Sequence, residues 1–282
     1  MPKKVLLAIF FLLIVGTIVA VKLLPGHSLT SVVDKPNVAN QTDYRTSPVP
    51  ILHQDNPAYL AATQQSVRIP ILMYHHIVDY HNASDPLGNN LAYAPAKFAQ
   101  DLDYLLANHF TPTTFRAILA GKLPDKPVIL TFDDGYDDFY STAYPAIKQR
   151  QLTAVVFVIL NRIGQKSYLS LGNMHELLDG GIEFGSHSTT HADLTKVDAA
   201  QLEHEIVYSR QRIDELFHYQ MISFCYPSGA FNDTVINAVQ NAGFMFATTT
   251  KDGIANLASP FTLSRIRMTP DTNLAQELQK FK

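Results

Sequence analysis

Residues 128–135 read Val-Ile-Leu-Thr-Phe-Asp-Asp-Gly, an apolar run of strand length that ends in two adjacent carboxylates and a glycine. Side chains alternate between the two faces of a regular strand, so neighbouring aspartates would point in opposite directions. A chain that turns at Gly135 can instead direct Asp133 and Asp134 into one cleft, because glycine adopts turn conformations that other residues avoid. The stretch therefore predicts a buried strand that ends at a functional site.

Short apolar runs alternate with amphipathic stretches from Val67 onward. The spacing predicts strands at Ile69–Tyr74, Val128–Phe132, Ala154–Leu160, Ile182–Gly185, Ile222–Tyr226 and Phe244–Thr248, and helices at Pro95–Asn108, Phe139–Arg150, Met174–Leu178, Ala199–Phe217 and Asp233–Gln240. Repeated strand and helix units with continuous apolar strands indicate a parallel sheet covered by helices. The length of this region favours an irregular α/β barrel over an open doubly wound sheet.

Charge and composition exclude several kinds of partner. The 282 residues include 22 Lys and Arg against 25 Asp and Glu, so no broad basic field exists to hold a phosphate backbone, and we expect no nucleic acid partner. No glycine-rich phosphate loop follows the first predicted strand, so we expect no nucleotide. Cys225 is the single cysteine, which excludes an intrachain disulfide and a cysteine-rich zinc module.

The N-terminus predicts a membrane segment. Lys3 and Lys4 precede the uncharged apolar run Val5–Val21, which is near the shortest length that spans a bilayer. This run is longer than a usual signal-peptide core and lacks a good cleavage site, so we predict a signal anchor at residues 1–24 in the cell membrane. The alternative is a cleaved leader and a secreted protein. Residues 25–66, rich in polar residues and proline, are predicted as an extracytoplasmic linker to a catalytic domain at 67–282.

Three polar groups follow predicted strands, at Thr131–Gly135, Ser186–His191 and Tyr226–Gly229. In an α/β barrel, functional side chains gather at the carboxyl ends of the strands. His187 and His191 are four residues apart, a spacing that places two imidazoles on one side of a helical turn, and one carboxylate would complete three ligands with open positions left over. Each motif alone also fits an exposed loop, but their joint occurrence favours a catalytic metal site.

These motifs resemble a known family. Thr131-Phe-Asp-Asp-Gly135, His187-Ser-Thr-Thr-His191 and Tyr226-Pro-Ser-Gly229 are similar to the first three motifs of the NodB-homology polysaccharide deacetylases, carbohydrate esterase family 4, and Ile71-Leu-Met-Tyr-His-His-Ile77 resembles the start of the poly-N-acetylglucosamine deacetylases. The resemblance implies an irregular (β/α)7 barrel of the NodB type, a divalent metal, most often Zn²⁺, and hydrolysis of N-acetyl groups from a GlcNAc-containing polysaccharide such as exopolysaccharide or peptidoglycan.

The resemblance also implies a division of roles. Asp134, His187 and His191 would bind the metal, and Asp133 would be the general base for the attacking water. The backbone N–H of Ser228 would hold the oxyanion.

Departures from the family pattern leave two roles open. Cys225 stands where many members have the arginine that orients the base, and Arg265 stands where the fifth motif has the histidine that protonates the leaving amine. Arg265 or Arg267 is therefore a candidate partner for the base. The candidate acids are His75, His76, and Asp133 itself, which could return the proton that it accepts.

The leading hypothesis is a membrane-tethered, metal-dependent polysaccharide de-N-acetylase outside the cytoplasm that remodels the cell wall or a biofilm. An O-deacetylase is an alternative within the class, because an alkoxide leaves more readily than an amide ion. A catalytically weak sugar-binding homologue is an alternative from another class. A non-haem iron oxygenase uses the same ligand types, although it has no need of a second carboxylate beside them.

Overall fold

The computed structural model describes residues 56–280, and its centre is a closed barrel of seven parallel strands. The order around the barrel is β2-β10-β8-β7-β6-β5-β4, and pairing of β2 with β4 closes the ring. The strands are β1 (Arg68–Ile69), β2 (Ile71–Tyr74), β3 (Thr111–Pro112), β4 (Pro127–Phe132), β5 (Val155–Val158), β6 (Glu183–Ser186), β7 (Ser223–Cys225), β8 (Phe246–Asp252), β9 (Ala255–Asn256) and β10 (Leu263–Arg267). The predicted seven-stranded α/β barrel is therefore confirmed.

Helices surround the barrel and connect successive strands. They are α1 (Pro57–Gln64), α2 (Pro86–Leu91), α3 (Pro95–Ala107), α4 (Phe115–Leu119), α5 (Tyr144–Gln149), α6 (Leu171–Asp179), α7 (Ala199–Glu203), α8 (Ser209–Phe217), α9 (Asp233–Asn241) and α10 (Leu274–Gln279). A π-helical turn, His204–Tyr208, joins α7 to α8, and a second one, Phe139–Ala143, precedes α5. The sequence predicted one regular helix from Ala199 to Phe217 and did not reveal the π-turn.

The strands separate two apolar cores by simple alternation. Ile129 and Val155 belong to a cluster inside the barrel, whereas their neighbours Leu130 and Val156 belong to the larger layer between barrel and helices. Both faces of β4 and β5 are thus buried, as expected for a parallel sheet covered by helices. This alternation also decides which polar residues near the strand ends point to the interior.

The first described helix differs from the prediction of a linker up to residue 66. The side chain of Asn56 caps α1 by accepting hydrogen bonds from the N–H groups of Ala58 and Tyr59. Tyr59 packs edge-on against Phe246, with ring centroids 5.5 Å apart, so α1 contributes to the core inside the barrel. The packed domain thus begins before residue 67, and residues 25–55 of the predicted linker lie outside the described residues.

The other predictions for the N-terminus concern residues that are not described. The predicted membrane segment, residues 1–24, lies outside residues 56–280. Within 56–280, no helix has both the length and the apolar character that a membrane crossing requires.

One barrel strand, β10, was not predicted from the sequence. Its sequence, Leu-Ser-Arg-Ile-Arg, carries two arginines and does not resemble a buried strand. It nevertheless lies between β2 and β8 and pairs with both. Without it the barrel would have an open edge, so this strand is essential to the closed architecture.

Candidate active site

Strand alternation brings a set of polar side chains into one end of the barrel interior. Asp133 follows Ile129 by four residues and Arg265 follows Leu263 by two, so each has the inward parity of its strand. The same parity applies to the polar residues that end or follow the other strands: His75 after β2, His187 after β6 and Cys225 in β7. All of them lie at the carboxyl ends of parallel strands, where α/β barrels carry their active sites.

Asp134 reaches the same cleft because the chain turns sharply. Its φ is 73° and that of Gly135 is 77°, two successive left-handed conformations that redirect a side chain which would otherwise point outward. Asp134 Oδ1 lies 3.4 Å from His187 Nε2 and 3.7 Å from His191 Nε2. The structure therefore brings together the three side chains that the sequence predicted as metal ligands.

The donor set fits a divalent cation. Zinc bonds of about 2.0–2.1 Å at tetrahedral angles place ligand atoms roughly 3.3 Å apart, close to the separations from Asp134. His187 Nδ1 is 2.7 Å from the carbonyl oxygen of Cys225, so Nδ1–H donates there and Nε2 keeps its lone pair for a metal. The His191 side chain is 33% exposed against 3% for His187, so the site opens to solvent on the His191 side.

The electrostatics of the donor set favour added positive charge. Burial lowers the pKa of His187, but charge and hydrogen bonding at Cys225 together with the carboxylates of Asp133 and Asp134 outweigh it and raise the pKa to about 10. Burial and the neighbouring His187 lower the pKa of His191. One proton or one cation is therefore expected in this cluster at neutral pH.

Asp133 is paired with Arg265 in the barrel interior. Nη1 and Nη2 of Arg265 donate to Oδ1 and Oδ2 of Asp133, each at 2.7 Å. The remaining Arg265 donors reach Thr131 Oγ1 at 3.1 Å, Cys225 Sγ at 3.2 Å and the Thr249 carbonyl at 2.8 Å. Arg265 is completely buried, so this site holds a fully satisfied guanidinium.

Of the two candidate partners for Asp133, Arg265 makes the contact, whereas Arg267 is exposed. Burial raises the pKa of the Asp133 carboxyl, but the charge and hydrogen bonds of Arg265 outweigh it and lower the pKa well below its usual range. Asp133 is therefore ionised at neutral pH. His75 Nε2 lies 3.9 Å from Asp133 Oδ2, and burial lowers the pKa of His75.

His76 occupies a different place from its neighbour. Its Nδ1 lies 2.5 Å from Asp138 Oδ2, and its ring stacks on Tyr136 with centroids 3.7 Å apart. Asp138 also accepts the N–H of Ile77 at 2.8 Å, so it fixes the chain that follows β2. His76 is thus held by Asp138 and Tyr136. Asp138 was not predicted as a site residue, because it belongs to none of the recognised motifs.

Ser228 lies in the tight turn Pro227–Gly229 directly after β7. Its φ is 53°, and within residues 56–280 its N–H has no hydrogen-bond acceptor. Gly229 follows with a φ of 72°, and a Cβ there would lie 2.0 Å from Thr250 Oγ1. Glycine is therefore required at this position, and the turn presents an unpaired N–H at the barrel mouth.

The two histidines converge for a reason other than the predicted helical turn. Residues 187–191 form an irregular loop, with left-handed φ values of 68° at Ser188 and 66° at His191. The N–H of His191 donates to Ser188 Oγ at 2.9 Å and closes the loop on itself. The expectation of a helical turn was therefore wrong, although the two histidines do lie close to each other and to Asp134.

An α/β barrel that holds an Asp-His-His donor set beside an ionised carboxylate has the composition of a hydrolase site. Comparisons with known proteins agree. A sequence model described as polysaccharide deacetylase matches residues 120–247. The Bacillus subtilis (strain 168) protein YxkH, whose name places it among the polysaccharide deacetylases, is 31% identical over 223 residues, which cover 77% of each chain.

Two further relatives extend the comparison. The structure of the Streptococcus pyogenes deacetylase PplD in complex with acetate superposes with a TM-score of 0.71 and 32% identity, covering 77% of this chain and 99% of that one. A Staphylococcus aureus protein named poly-beta-1,6-N-acetyl-D-glucosamine N-deacetylase is 23% identical over 261 residues, which cover 86% of this chain and 84% of that protein. The chain belongs to the polysaccharide deacetylase family, whose members are hydrolases.

Proposed function

We propose that the protein hydrolyses N-acetyl groups from a GlcNAc-containing cell-surface polysaccharide, with a divalent cation, Zn²⁺ by preference, held by Asp134, His187 and His191. One observation carries the proposal: the ionised carboxylate of Asp133 lies within 4.8 Å of a ring nitrogen of His187, beside the donor set. A base and a cation site at this separation suit attack of water on an acyl carbon. When bound, the cation would polarise the acetyl carbonyl and lower the pKa of a water molecule.

Asp133 would accept the proton of the attacking water. Its two-point contact with Arg265 holds the carboxylate in one orientation and keeps it ionised before the substrate arrives. The backbone N–H of Ser228, unpaired within the described residues, would donate to the oxyanion as the carbonyl carbon becomes tetrahedral. Asp133 directly follows β4 and Ser228 lies in the turn after β7, so the fold positions both groups before the substrate binds, which reduces the reorganisation required during the reaction.

His75 is the favoured candidate for protonating the leaving amine. It lies 3.9 Å from Asp133, so a proton taken up by the carboxylate can pass to the imidazole after a small approach. Arg265 is excluded from this role because all its N–H groups are engaged by protein acceptors and a guanidinium does not release a proton at neutral pH.

The name of the Staphylococcus aureus relative supports poly-β-1,6-linked GlcNAc as the first substrate to test. O-deacetylation is a second candidate, favoured by the presence of Arg265 where the family has its acidic histidine, since an alkoxide leaves without a strong acid. Acetate release by the purified full-length protein from poly-N-acetylglucosamine, peptidoglycan glycan and acetylxylan distinguishes the two. Release from acetylxylan alone would overturn the N-acetyl assignment.

The substitution Asp133→Asn tests the enzymatic role. Loss of the base is expected to lower acetate release by about 10²- to 10⁴-fold while bound metal is retained. Asp137→Asn is the matched control, because Asp137 is exposed in the same loop. Unchanged acetate release from the folded Asp133→Asn protein would contradict the role of Asp133 as the base. Absence of acetate release from the unmodified protein on every glycan would favour a sugar-binding homologue.

We further propose that residues 1–24 tether the catalytic domain to the outer face of the cell membrane. The support is the apolar run Val5–Val21 behind two lysines, which is typical of a signal anchor. Fractionation of cells should find the full-length chain in the membrane and accessible to external protease. A shortened chain in the medium would indicate a cleaved leader instead.

A further inference from the structure

Glu205 is a buried carboxylate outside the donor set whose hydrogen bonds are directed at the loop between the two histidines. It is completely buried in the π-helical turn between α7 and α8. Its Oε2 accepts the Thr190 N–H at 2.8 Å, and its Oε1 accepts the Thr190 hydroxyl at 2.6 Å and the Gln201 side-chain amide at 2.8 Å. Burial raises the pKa of the Glu205 carboxyl, but these hydrogen bonds outweigh it and lower the pKa.

The π-turn holds the same loop by its backbone as well. The carbonyl oxygen of Glu205 accepts the N–H of Thr189 at 3.1 Å, and that of His204 accepts the Thr189 hydroxyl at 2.8 Å. Helix carbonyls normally bond within the helix, and π-turns often occur at functional sites because they disturb this pattern. Two neighbouring loop residues, Thr189 and Thr190, are thus docked on one turn of the helix.

The loop needs such external support. Ser188 and His191 both have left-handed φ values, which are unfavourable for residues other than glycine and persist only when surrounding contacts enforce them. His187 is fixed independently by burial and by its bond to the Cys225 carbonyl. His191 is one-third exposed, and its position depends on the loop that precedes it.

We propose that Glu205 is a positioning residue that fixes the Ser188–His191 loop and so places His191 for cation binding. This inference rests on the proposed metal-dependent function. Glu205 does not touch the cation or the substrate. Its carboxylate supplies two acceptors for two donors of Thr190, a match that neither an amide nor an apolar side chain provides in full.

Zinc titration of the full-length, metal-free protein by calorimetry tests the proposal. Glu205→Ala is expected to weaken zinc affinity by about 10- to 100-fold, the effect typical of removing a partner of a metal ligand. Glu205→Gln keeps one acceptor, so its zinc affinity is expected to lie between those of the Glu205→Ala and unmodified proteins. Glu203→Ala is the matched control, because Glu203 is an exposed glutamate in the same helical segment. Excess zinc should restore acetate release to the Glu205→Ala protein.

A double-mutant cycle separates positioning from general stability. If Glu205 acts through His191, Glu205→Ala should not weaken zinc binding further in a His191→Ala background. An equal loss in both backgrounds, or a folded Glu205→Ala protein with unchanged zinc affinity, would overturn the proposal. Should Glu205→Ala fail to fold, Thr190→Val removes the hydroxyl donor from the same contact and is expected to weaken zinc binding severalfold. Failure of the unmodified protein to bind zinc would instead overturn the metal-dependent function.

Discussion

The guanidinium of Arg265 and the carboxylate of Asp133 meet inside the barrel through two parallel hydrogen bonds, both 2.7 Å long. Asp133 directly follows β4 and Arg265 belongs to β10. The contact therefore joins two residues that are 132 apart in sequence. Both side chains are buried, at 3% and 0% exposure. Removal of either one would leave an uncompensated charge in the barrel, which is a far larger change than loss of a surface ion pair.

Arg265→Ala is expected to lower the free energy of unfolding by about 3–5 kcal/mol, because it leaves Asp133 buried and unpaired. Arg265→Lys keeps a cation but loses the two-point contact with Asp133. Its free energy of unfolding should lie between those of the Arg265→Ala and unmodified proteins, and its acetate release should still be reduced. Urea unfolding of the purified proteins provides the measurement. Arg267→Ala, on the exposed face of the same strand, is the control. An Arg265→Ala protein as stable as this control would contradict the prediction.

Gly229→Ala is expected to reduce acetate release and stability together. The new Cβ would meet Thr250 Oγ1 and strain the turn that presents the Ser228 N–H. Gly164→Ala isolates the effect of a left-handed φ, because Gly164 has a φ of 78° and a Cβ there would have no atom within 4 Å. It should lower the free energy of unfolding by only about 1–2 kcal/mol. Adding Thr250→Ala to Gly229→Ala should recover part of the loss. Equal losses of stability from the two glycine substitutions would argue against the steric explanation.

Asp214 makes the stability of the fold depend on pH. Burial raises the pKa of Asp214 from 3.8 to about 6, although it accepts the Met221 N–H and lies 3.7 Å from Arg210. A raised pKa means that the folded state favours the neutral acid, so this contribution to stability is present below pH 3.8 and is lost as the pH rises through about 6.

Asp214→Asn should therefore stabilise the protein more at pH 7 than at pH 4, by a difference of about 1–3 kcal/mol. Asparagine still accepts the Met221 N–H. At pH 4 Asp214 is itself neutral in the folded protein, so the comparison at that pH shows the effect of the substitution without a change of charge. Urea unfolding at both pH values is the measurement. A difference between the two proteins that does not change with pH would show that Asp214 keeps an ordinary pKa.

Zinc should stabilise the folded protein if the donor set binds it. At a free concentration of 100 times the dissociation constant, the expected gain is about 2.7 kcal/mol, visible as a rise in melting temperature that a chelator reverses. His187→Ala should abolish the rise, whereas His175→Ala, which changes an exposed histidine of α6, should leave it intact. A zinc-dependent rise that survives His187→Ala would place the metal elsewhere.

Much of the barrel could be predicted because its inner and outer faces are both apolar. Strands such as β4 and β5 read as continuous apolar runs, and parity then assigns Asp133 to the interior. Strand β10 could not be recognised, because Arg265 is unsuited to burial until its partner is known. The family resemblance made Arg265 a candidate partner of Asp133, but the local sequence pattern does not show that the pair is buried inside a barrel.

The sequence predicted that Asp134, His187 and His191 lie together, but it did not predict the local structure that brings them together. A spacing of four residues suggested a helical turn, whereas His187 and His191 converge through an irregular loop with left-handed residues. Left-handed conformations of such residues are imposed by tertiary contacts, here those with the π-turn at Glu205. They cannot be predicted from the presence of a serine or a histidine in the sequence. Tertiary contacts, not local preference, therefore determine the shape of this part of the site.

The strand that completes the ring, β10, also supplies the counter-charge of Asp133. Because Leu263–Arg267 follows the six other barrel strands in sequence, it leaves the ribosome after all of them. A nascent or truncated chain that ends before it has an unsealed edge and a bare aspartate in its interior. Closure of the barrel and pairing of Asp133 with Arg265 thus both await the addition of β10. Fragments released by premature termination should therefore be inactive.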